Sequence, residues 1–422
     1  MEKRNRLILN SRSYTLNPFG VARTLLSLTA FDWASYLKRE RQGEGMSCNN
    51  GASDQKHAKS ALEIVERGPR ARWWRRSGTK RRGFYYEDFG GKSVTDEAAL
   101  ERIRSLVIPP AWTHVRISPS PRSPLQAVGL DTAGRVQYKY HASFIARRQQ
   151  KKYEKLLRFG EHLPALRRLT NEHIALDGFP RDRVLAIVIR LINDLFLRVG
   201  SETSVKRYRT YGVTTLRNRH LQIKPGGRLI FSFVGKHHIR HRLVIVDEEM
   251  AGVLRDLKAL GGPKLFEYVG EDGRIRAVTP HDVNEYIKSA AGPEFSAKDF
   301  RTWGGTLLAA VHLAEIGYAE DEKLARSNIA QVVKRVAEHL GNTPTVCRNC
   351  YIHPAVFDRY LAGVTLEQFR RKAERRIRRL QPEYEVEEQA LLKLFRANGS
   401  ARKPSNGNGA EGAKAAAAAA RR

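Results

Sequence analysis

The sequence predicts an α+β protein in two folded parts: a small β-rich module near the N-terminus, then a larger, mainly α module containing a three-stranded β hairpin region. Three observations lead there. Between Gly83 and about Tyr153, short β-prone pieces alternate with Gly, Pro and Asp turns. Beyond them apolar residues keep helical spacing, as at positions 184, 188, 191, 195 and 199. That pattern is interrupted once, between Val213 and Val246, by strand-like runs joined at Pro225-Gly226-Gly227 and at Gly235-Lys236-His237-His238. A chain of 422 residues has room for two or three domains.

In chain order, residues 1–78 read as a basic extension, polar and mostly disordered to about 66, with one helix near Ser60–Glu66. Its last part, R-G-P-R-A-R-W-W-R-R-S-G-T-K-R-R from Arg67 to Arg82, is either a solvated charge run or, through Trp73 and Trp74, a nucleic-acid contact. The β-rich module, 79–152, carries strands over Phe84–Tyr86, His114–Ile117, Leu125–Val128 and Val136–Tyr140, and a helix over Asp96–Leu106. In the larger module, 153–397, the helix through position 199 stops at Gly200. Val213–Ile223, Leu229–Val234 and Leu243–Val246 form the strands. Helices follow over Val283–Ala290, Ala297–Ile316 with Ser296 and Asp299 as a capping pair, and Ser327–Leu340 closed by Gly341. A charged helix with R-R-K-A-E-R-R-I-R-R comes after Thr365, and 398–422 is a low-complexity basic tail.

Charge narrows the function. Seventy-five Lys and Arg against 44 Asp and Glu leave a net charge of +31 spread along the chain, which suits a polyanionic partner. No apolar run approaches the ~20 residues of a membrane span, and the basic first 40 residues lack the core and cleavage pattern of a signal peptide. Three cysteines cannot build a disulfide framework, so a cytoplasmic setting fits.

Chemistry concentrates in L-G-N-T-P-T-V-C-R-N-C-Y-I-H-P, from Leu340 to Pro354. Cys347 and Cys350 supply two of the four ligands that a structural zinc needs, and no second pair exists. A redox Cys-x-x-Cys opens a helix after a strand, and no strand precedes this one. The cysteines therefore read as packing for the segment that bears Tyr351, and no metal or cofactor is expected. Arg198 lies in L-R-V-G, where it reads as the end of a helix. Lys236 tips a hairpin in F-V-G-K, Arg301 sits in the first turns of a helix in K-D-F-R-T-W, and Asn342 precedes Tyr351 by nine residues.

Arg, Lys, Arg, Asn and Tyr in this order and context resemble the type IB DNA topoisomerases, most closely the poxvirus and bacterial branch. The likeness extends from Arg82 to Leu361 through R-I-R-S-L-V-I-P-P-A-W, Q-Y-K-Y-H, L-R-V-G-S-E, K-D-F-R-T-W-G-G-T and Y-I-H-P-A-V, about two-thirds of the chain. It implies the catalytic fold shared by tyrosine recombinases and topoisomerases IB, and a monomer that closes as a clamp around duplex DNA in the nucleoid. It also implies relaxation of supercoils through a 3′-phosphotyrosyl intermediate, without ATP or metal. By resemblance Tyr351 is the nucleophile, Lys236 the general acid assisted by Arg198, Arg198 and Arg301 the phosphate clamp and Asn342 a further donor. Gln137, Tyr138 and Tyr140 match the family's Gln-Tyr-x-Tyr, which contacts DNA in the major groove.

The roles make physical sense. A phenol of pKa ~10 is a weak nucleophile at neutral pH and needs cations beside it, and two guanidiniums stabilise charge on non-bridging oxygens. The chain departs from its relatives after Lys236, where His237-His238-Ile239 replaces the usual Ser-Gly, and after Gly200, where Ser-Glu-Thr-Ser replaces Asn-Glu-x-Tyr. Neither change removes a catalytic group. A tyrosine recombinase would carry His three residues before the second Arg, where this chain has Lys298. A non-catalytic DNA-binding protein would satisfy the charge alone and predicts that Tyr351 is dispensable.

Overall fold

The structure is a computed structural model that describes residues 61–370 and 385–397; the expected N-terminal disorder up to 60, most of the charged helix and the C-terminal tail lie outside them. The described residues belong to two compact units, one running to Thr306 and resuming at Val333–His353, the other comprising Leu307–Val332 and the chain from Pro354 on.

The first unit begins earlier than the sequence suggests. Helix α1 (Ala61–Glu66) is followed by a turn of 3₁₀ helix and then by β1 (Trp74–Thr79), inside the expected basic extension. Strand β1 pairs with β2 (Gly83–Glu87), and helix α2 (Glu97–Ser105) starts at Asp96, whose carboxylate accepts from Ala99 N at 2.8 Å. With β3 (Thr113–Ile117), β4 (Leu125–Leu130) and β5 (Val136–Tyr140) the strands form one antiparallel sheet, ordered β2-β1-β3-β4-β5. Each of its faces has its own core. Ile103, Val115, Ile117 and Ala127 gather Trp74 on one side, while Val65, Val128 and Leu130 gather Trp73 and Tyr138 on the other. The two tryptophans of the basic run thus pack, partly buried, against cores on opposite faces of the sheet. Strand alternation sends neighbours in sequence to opposite sides, and hydrophobic burial at ~25 cal/mol per Å² outweighs what their arginine neighbours gain from water.

Beyond β5 the chain enters α3 (Ala142–Ile174), which packs on α4 (Arg181–Leu195). Helix α4 is apolar nearly all round, with Val184 to Ile189, Leu191, Ile192 and Leu195 buried, as expected of a central helix. It ends at Leu195 because Phe196 turns left-handed at φ 50°. Arg198 therefore lies in an extended segment beyond the helix, not in its final turn as expected. Short helix α5 (Glu202–Tyr208) follows. The expected strand over Val213–Ile223 is replaced by two 3₁₀ turns, with only Leu221–Lys224 forming a strand, β6. Side chains there bond their own backbone: Gly212 N donates to Thr215 Oγ1 at 2.9 Å and Arg217 N to His220 Nδ1 at 3.0 Å. These local bonds offer the backbone an alternative to a ladder.

Strands β6, β7 (Arg228–Val234) and β8 (Arg240–Val246) form the expected three-stranded sheet. Two features go beyond the sequence reading: helix α6 (Glu248–Ala259), capped by Asp247, and the small pair β9 (Glu267–Val269) with β10 (Ile275–Ala277). Helices α7 (Pro280–Ala291), α8 (Ala297–Ile316) and α9 (Glu322–Leu340) come next. At the start of α8, Ser296 donates to the Asp299 carboxylate from both N and Oγ, at 2.8 and 2.9 Å. The unit closes with α10 (Pro344–Cys350), whose cap Thr343 accepts from Val346 N at 3.1 Å. In the second unit Tyr360 of α11 (Pro354–Leu361) donates to Gly317 O at 2.7 Å and accepts from Asn328 at 2.9 Å. The last described helix is α12 (Val386–Arg396). Among the described residues no helix is long and apolar enough to cross a membrane.

Candidate active site

The site is built around the C-terminal end of α9, where helix geometry leaves backbone carbonyls without intrahelical partners. Leu340 O accepts from Arg301 Nη2 at 2.7 Å and from Arg198 Nη1 at 3.5 Å. Arg301 also donates from Nη1 to Phe196 O, the carbonyl released where α4 ends. Arg198 donates from Nη2 to Gly341 O at 3.1 Å and to Asn342 Oδ1 at 2.6 Å. Two guanidiniums, one of them only 5 % exposed, are thus held by main-chain oxygens from two helix ends.

Arg198 reaches this point because its strand lies against Gly212. Val213 N donates to Arg198 O at 2.8 Å, and a Cβ on Gly212 would stand 2.5 Å from that same oxygen. The close approach requires glycine.

Tyr351 is the residue immediately after α10, its N–H bonded to Cys347 O at 2.9 Å. Its carbonyl accepts from Thr306 Oγ1 at 3.3 Å, and a Cβ on Gly305 would come 2.7 Å from that carbonyl oxygen. The Gly-Thr of W-G-G-T therefore lets α8 lie against the tyrosine backbone. The guanidinium of Arg301 sits 5.2 Å from the Tyr351 ring centroid. Burial opposes ionisation of the Tyr351 hydroxyl, but Arg301, Arg198 and Lys298 outweigh it and bring its pKa below the ordinary phenol value.

Lys236 opens the turn between β7 and β8, where His237 and His238 both adopt left-handed backbone, φ 63° and 59°. It lines one shallow pocket with Arg198, Arg301 and His241. Burial and then Arg198 lower its pKa from the ordinary lysine value, which eases proton donation. His241, stacked on Phe233 at 5.0 Å, is pushed down to about 3 by burial and by the two arginines, so it stays neutral.

The structure thus gathers Arg198, Lys236, Arg301, Asn342 and Tyr351 into one cluster. Gln137, Tyr138 and Tyr140 are not in it; they lie, half-buried, on the edge strand β5. Gln137 Nε2 donates to Asp131 at 3.0 Å, and the rings of Tyr138 and Tyr140 stack at 6.1 Å. Cys347 is a buried free thiol pushed up to about 12 by burial. Among the described residues no three His, Cys, Asp or Glu side chains group as metal ligands.

Sequence reasoning missed three participants. Lys298, one helical turn before Arg301, adds to the charge acting on Tyr351 and Lys236; the i, i+3 spacing in K-D-F-R could have shown it. Lys152 and Tyr153 of α3 reach the backbone on either side of Tyr351. Lys152 Nζ donates to Cys350 O, and Tyr153 Oη donates to Ile352 O at 3.0 Å. Burial, followed by Lys298, takes the Lys152 pKa down to about 8. No local pattern signals contacts across some 200 positions.

Comparison with known proteins gives the family of the chain. Residues 141–378 match the family described as eukaryotic DNA topoisomerase I, catalytic core, and residues 83–131 match the bacterial DNA topoisomerase IB, N-terminal domain. The DNA topoisomerase 1B of Acanthamoeba polyphaga mimivirus is 32% identical over 276 residues, 64% of this chain and 81% of the viral protein. That of Vaccinia virus (strain Copenhagen) is 24% identical over 293 residues, 66% of this chain and 89% of its own length. The DNA topoisomerase 1 of Candida albicans is 26% identical over 206 residues, 47% of this chain and 25% of the yeast protein.

Proposed function

The chain belongs to the type IB DNA topoisomerases, and from that premise we propose that Tyr351, Arg198, Lys236, Arg301 and Asn342 perform the strand-cleavage chemistry in the roles their surroundings favour. The enzyme changes the topology of duplex DNA. Tyr351 Oη attacks a backbone phosphorus, the new Tyr–O–P bond forms on the 3′ side, and the bond from phosphorus to the 5′ oxygen breaks. Lys236 hands a proton to that leaving oxygen, and the phenolic proton passes to solvent water as the tyrosine attacks. Arg198 and Arg301 hold the non-bridging oxygens, and Asn342 adds a side-chain amide beside them. Supercoils are released while the strand is open, and the 5′-hydroxyl then attacks the phosphotyrosine to restore the backbone. A phosphodiester is exchanged for a phosphodiester, so resealing draws on no ATP. Charge stabilisation comes from side chains, and no step calls on a metal.

The observation that carries this reading is the Arg301–Tyr351 contact, with Arg301 and Arg198 both fastened to Leu340 O. The β-rich module, 79–152, contributes DNA contact: its strand β5 presents Gln137, Tyr138 and Tyr140 to the duplex while the larger module, 153–397, cuts. A monomer closing as a clamp on nucleoid DNA in the cytoplasm is the assembly that fits this division.

The test is relaxation of a supercoiled plasmid in EDTA without ATP, comparing the parent with Tyr351→Phe. The parent relaxes the plasmid and forms a covalent adduct under denaturing quench; the variant binds but does neither. An inactive parent or an active variant would sink the assignment.

A further inference from the structure

Tyr351 lies at the end of a seven-residue helix, a short element with little stiffness of its own. Its side chain has to hold an attacking oxygen in line with a phosphorus and its leaving group, and an error of about 1 Å costs on the order of 100-fold in rate. The backbone on both sides of it is gripped by consecutive residues of one other helix. Lys152 donates to the carbonyl of Cys350, just before the tyrosine, and Tyr153 donates to the carbonyl of Ile352, just after it. The Tyr153 ring also packs on His353 at 4.4 Å between centroids. Tyr153 is 7 % exposed, and its hydroxyl proton is held in place by burial, which raises its pKa to about 12. On the Tyr153 side the grip is therefore dry and directional.

Helix α3 is suited to supply it. At 33 residues it is the longest helix among the described residues, and its neighbouring side chains brace it: Lys155 pairs with Asp299 of α8 at 2.8 Å, and Phe159 packs edge-on to Phe300 at 5.0 Å between centroids. Asp299 and Arg301 belong to the same helical turn. One brace thus references both the nucleophile and its clamp to α3. A lysine is a costly choice for a part-buried bond to a neutral carbonyl, because withdrawing an ammonium from water is penalised unless something else is gained.

We propose that Lys152 and Tyr153 are positioning residues for the transesterification, fixing the backbone on both sides of Tyr351 so that its hydroxyl is aimed at the phosphorus. The inference rests on the reading of Tyr351 as the nucleophile. Neither residue transfers a proton to the DNA; both act through the tyrosine backbone.

The experiment uses the full-length protein and a duplex oligonucleotide carrying a cleavage site mapped for the parent enzyme. Single-turnover formation of the covalent adduct is followed for Lys152→Met, Lys152→Arg and Tyr153→Phe, with DNA affinity and thermal midpoint measured in parallel. Lys152→Met is expected to slow cleavage about 10- to 100-fold, with DNA affinity unchanged and a midpoint that does not fall. Lys152→Arg recovers part of the rate, and Tyr153→Phe slows cleavage to a lesser degree. A second duplex, with sulfur in place of the 5′ bridging oxygen, leaves without needing a proton. A positioning defect persists on it undiminished.

Parental cleavage rates in both Lys152→Met and Tyr153→Phe would overturn the proposal, as would a loss of rate that tracks a lower midpoint. Recovery of Lys152→Met on the sulfur duplex would also overturn it, by making Lys152 a proton donor. Adduct formation by Tyr351→Phe would instead refute the nucleophile assignment beneath it, so the two failures are distinguishable.

Discussion

Arg301 shows what a single side chain has to be here. Its planar fork spans carbonyls of two different helix ends while its face lies against the Tyr351 ring. Lysine keeps the charge but has neither the fork nor the flat face. Arg301→Lys is therefore expected to lower the single-turnover cleavage rate by about 100- to 1,000-fold, in the range of losing one preorganised stabiliser of transition-state charge. Binding of intact duplex changes far less; equal losses in binding and cleavage would refute the role. At this scale the sequence was highly legible: each residue of the cluster stood in a short motif, and chemistry demanded those residue types. Lys152 and Tyr153 were hidden because their partners are backbone carbonyls, which every residue possesses and no sequence advertises.

Elements were legible where one strong local signal ruled them. The five pieces from Gly83 to Tyr140 and the hairpin strands β7 and β8 have turn residues or caps at their ends, and they form where periodicity puts them. Three misreadings share a cause: tertiary contact overrode local preference. The Arg-rich run around Trp74 became a strand because both tryptophans had cores to enter. Phe196 ended α4 in a left-handed turn that favours glycine. Val213-Thr214-Thr215, β-prone by composition, became a 3₁₀ turn to bring Gly212 against the Arg198 strand. That last contact makes a testable element. In Gly212→Ala the new methyl meets Gly200 N at 2.4 Å and Arg198 O at 2.5 Å, both backbone. Overpacking of this kind costs about 1–3 kcal/mol, and the displaced strand carries Arg198. A lower midpoint in chemical denaturation accompanied by loss of cleavage is expected; a variant with parental values in both would show that the contact is slack.

For the whole molecule, buried and half-buried histidines tie stability to acidity. Burial is the first cause in each, and it holds His220, His237 and His353 down to about 4 and His241 to about 3, against 6.5 when unfolded. Between about pH 6.5 and 4 the unfolded chain binds more protons than the folded one, so acid favours unfolding. The histidine contribution to stability is at its full value above pH 6.5 and declines as pH falls through that window. Thermal melts at pH 7.0 and 5.0 at constant ionic strength should show the midpoint dropping, and His241→Phe, which keeps a ring against Phe233, should flatten the decline. A midpoint rising toward pH 5 would contradict the sign.

The oxygen that both arginines share belongs to the main chain of residue 340. Any amino acid placed there presents the same oxygen, so side-chain drift at that position leaves the two charges where they are. The exposure to mutation is shifted onto the path of the backbone, above all onto Gly341, which leaves the helix at φ 60°. The two charges are in this sense inherited with the end of a helix, placed by where the main chain runs.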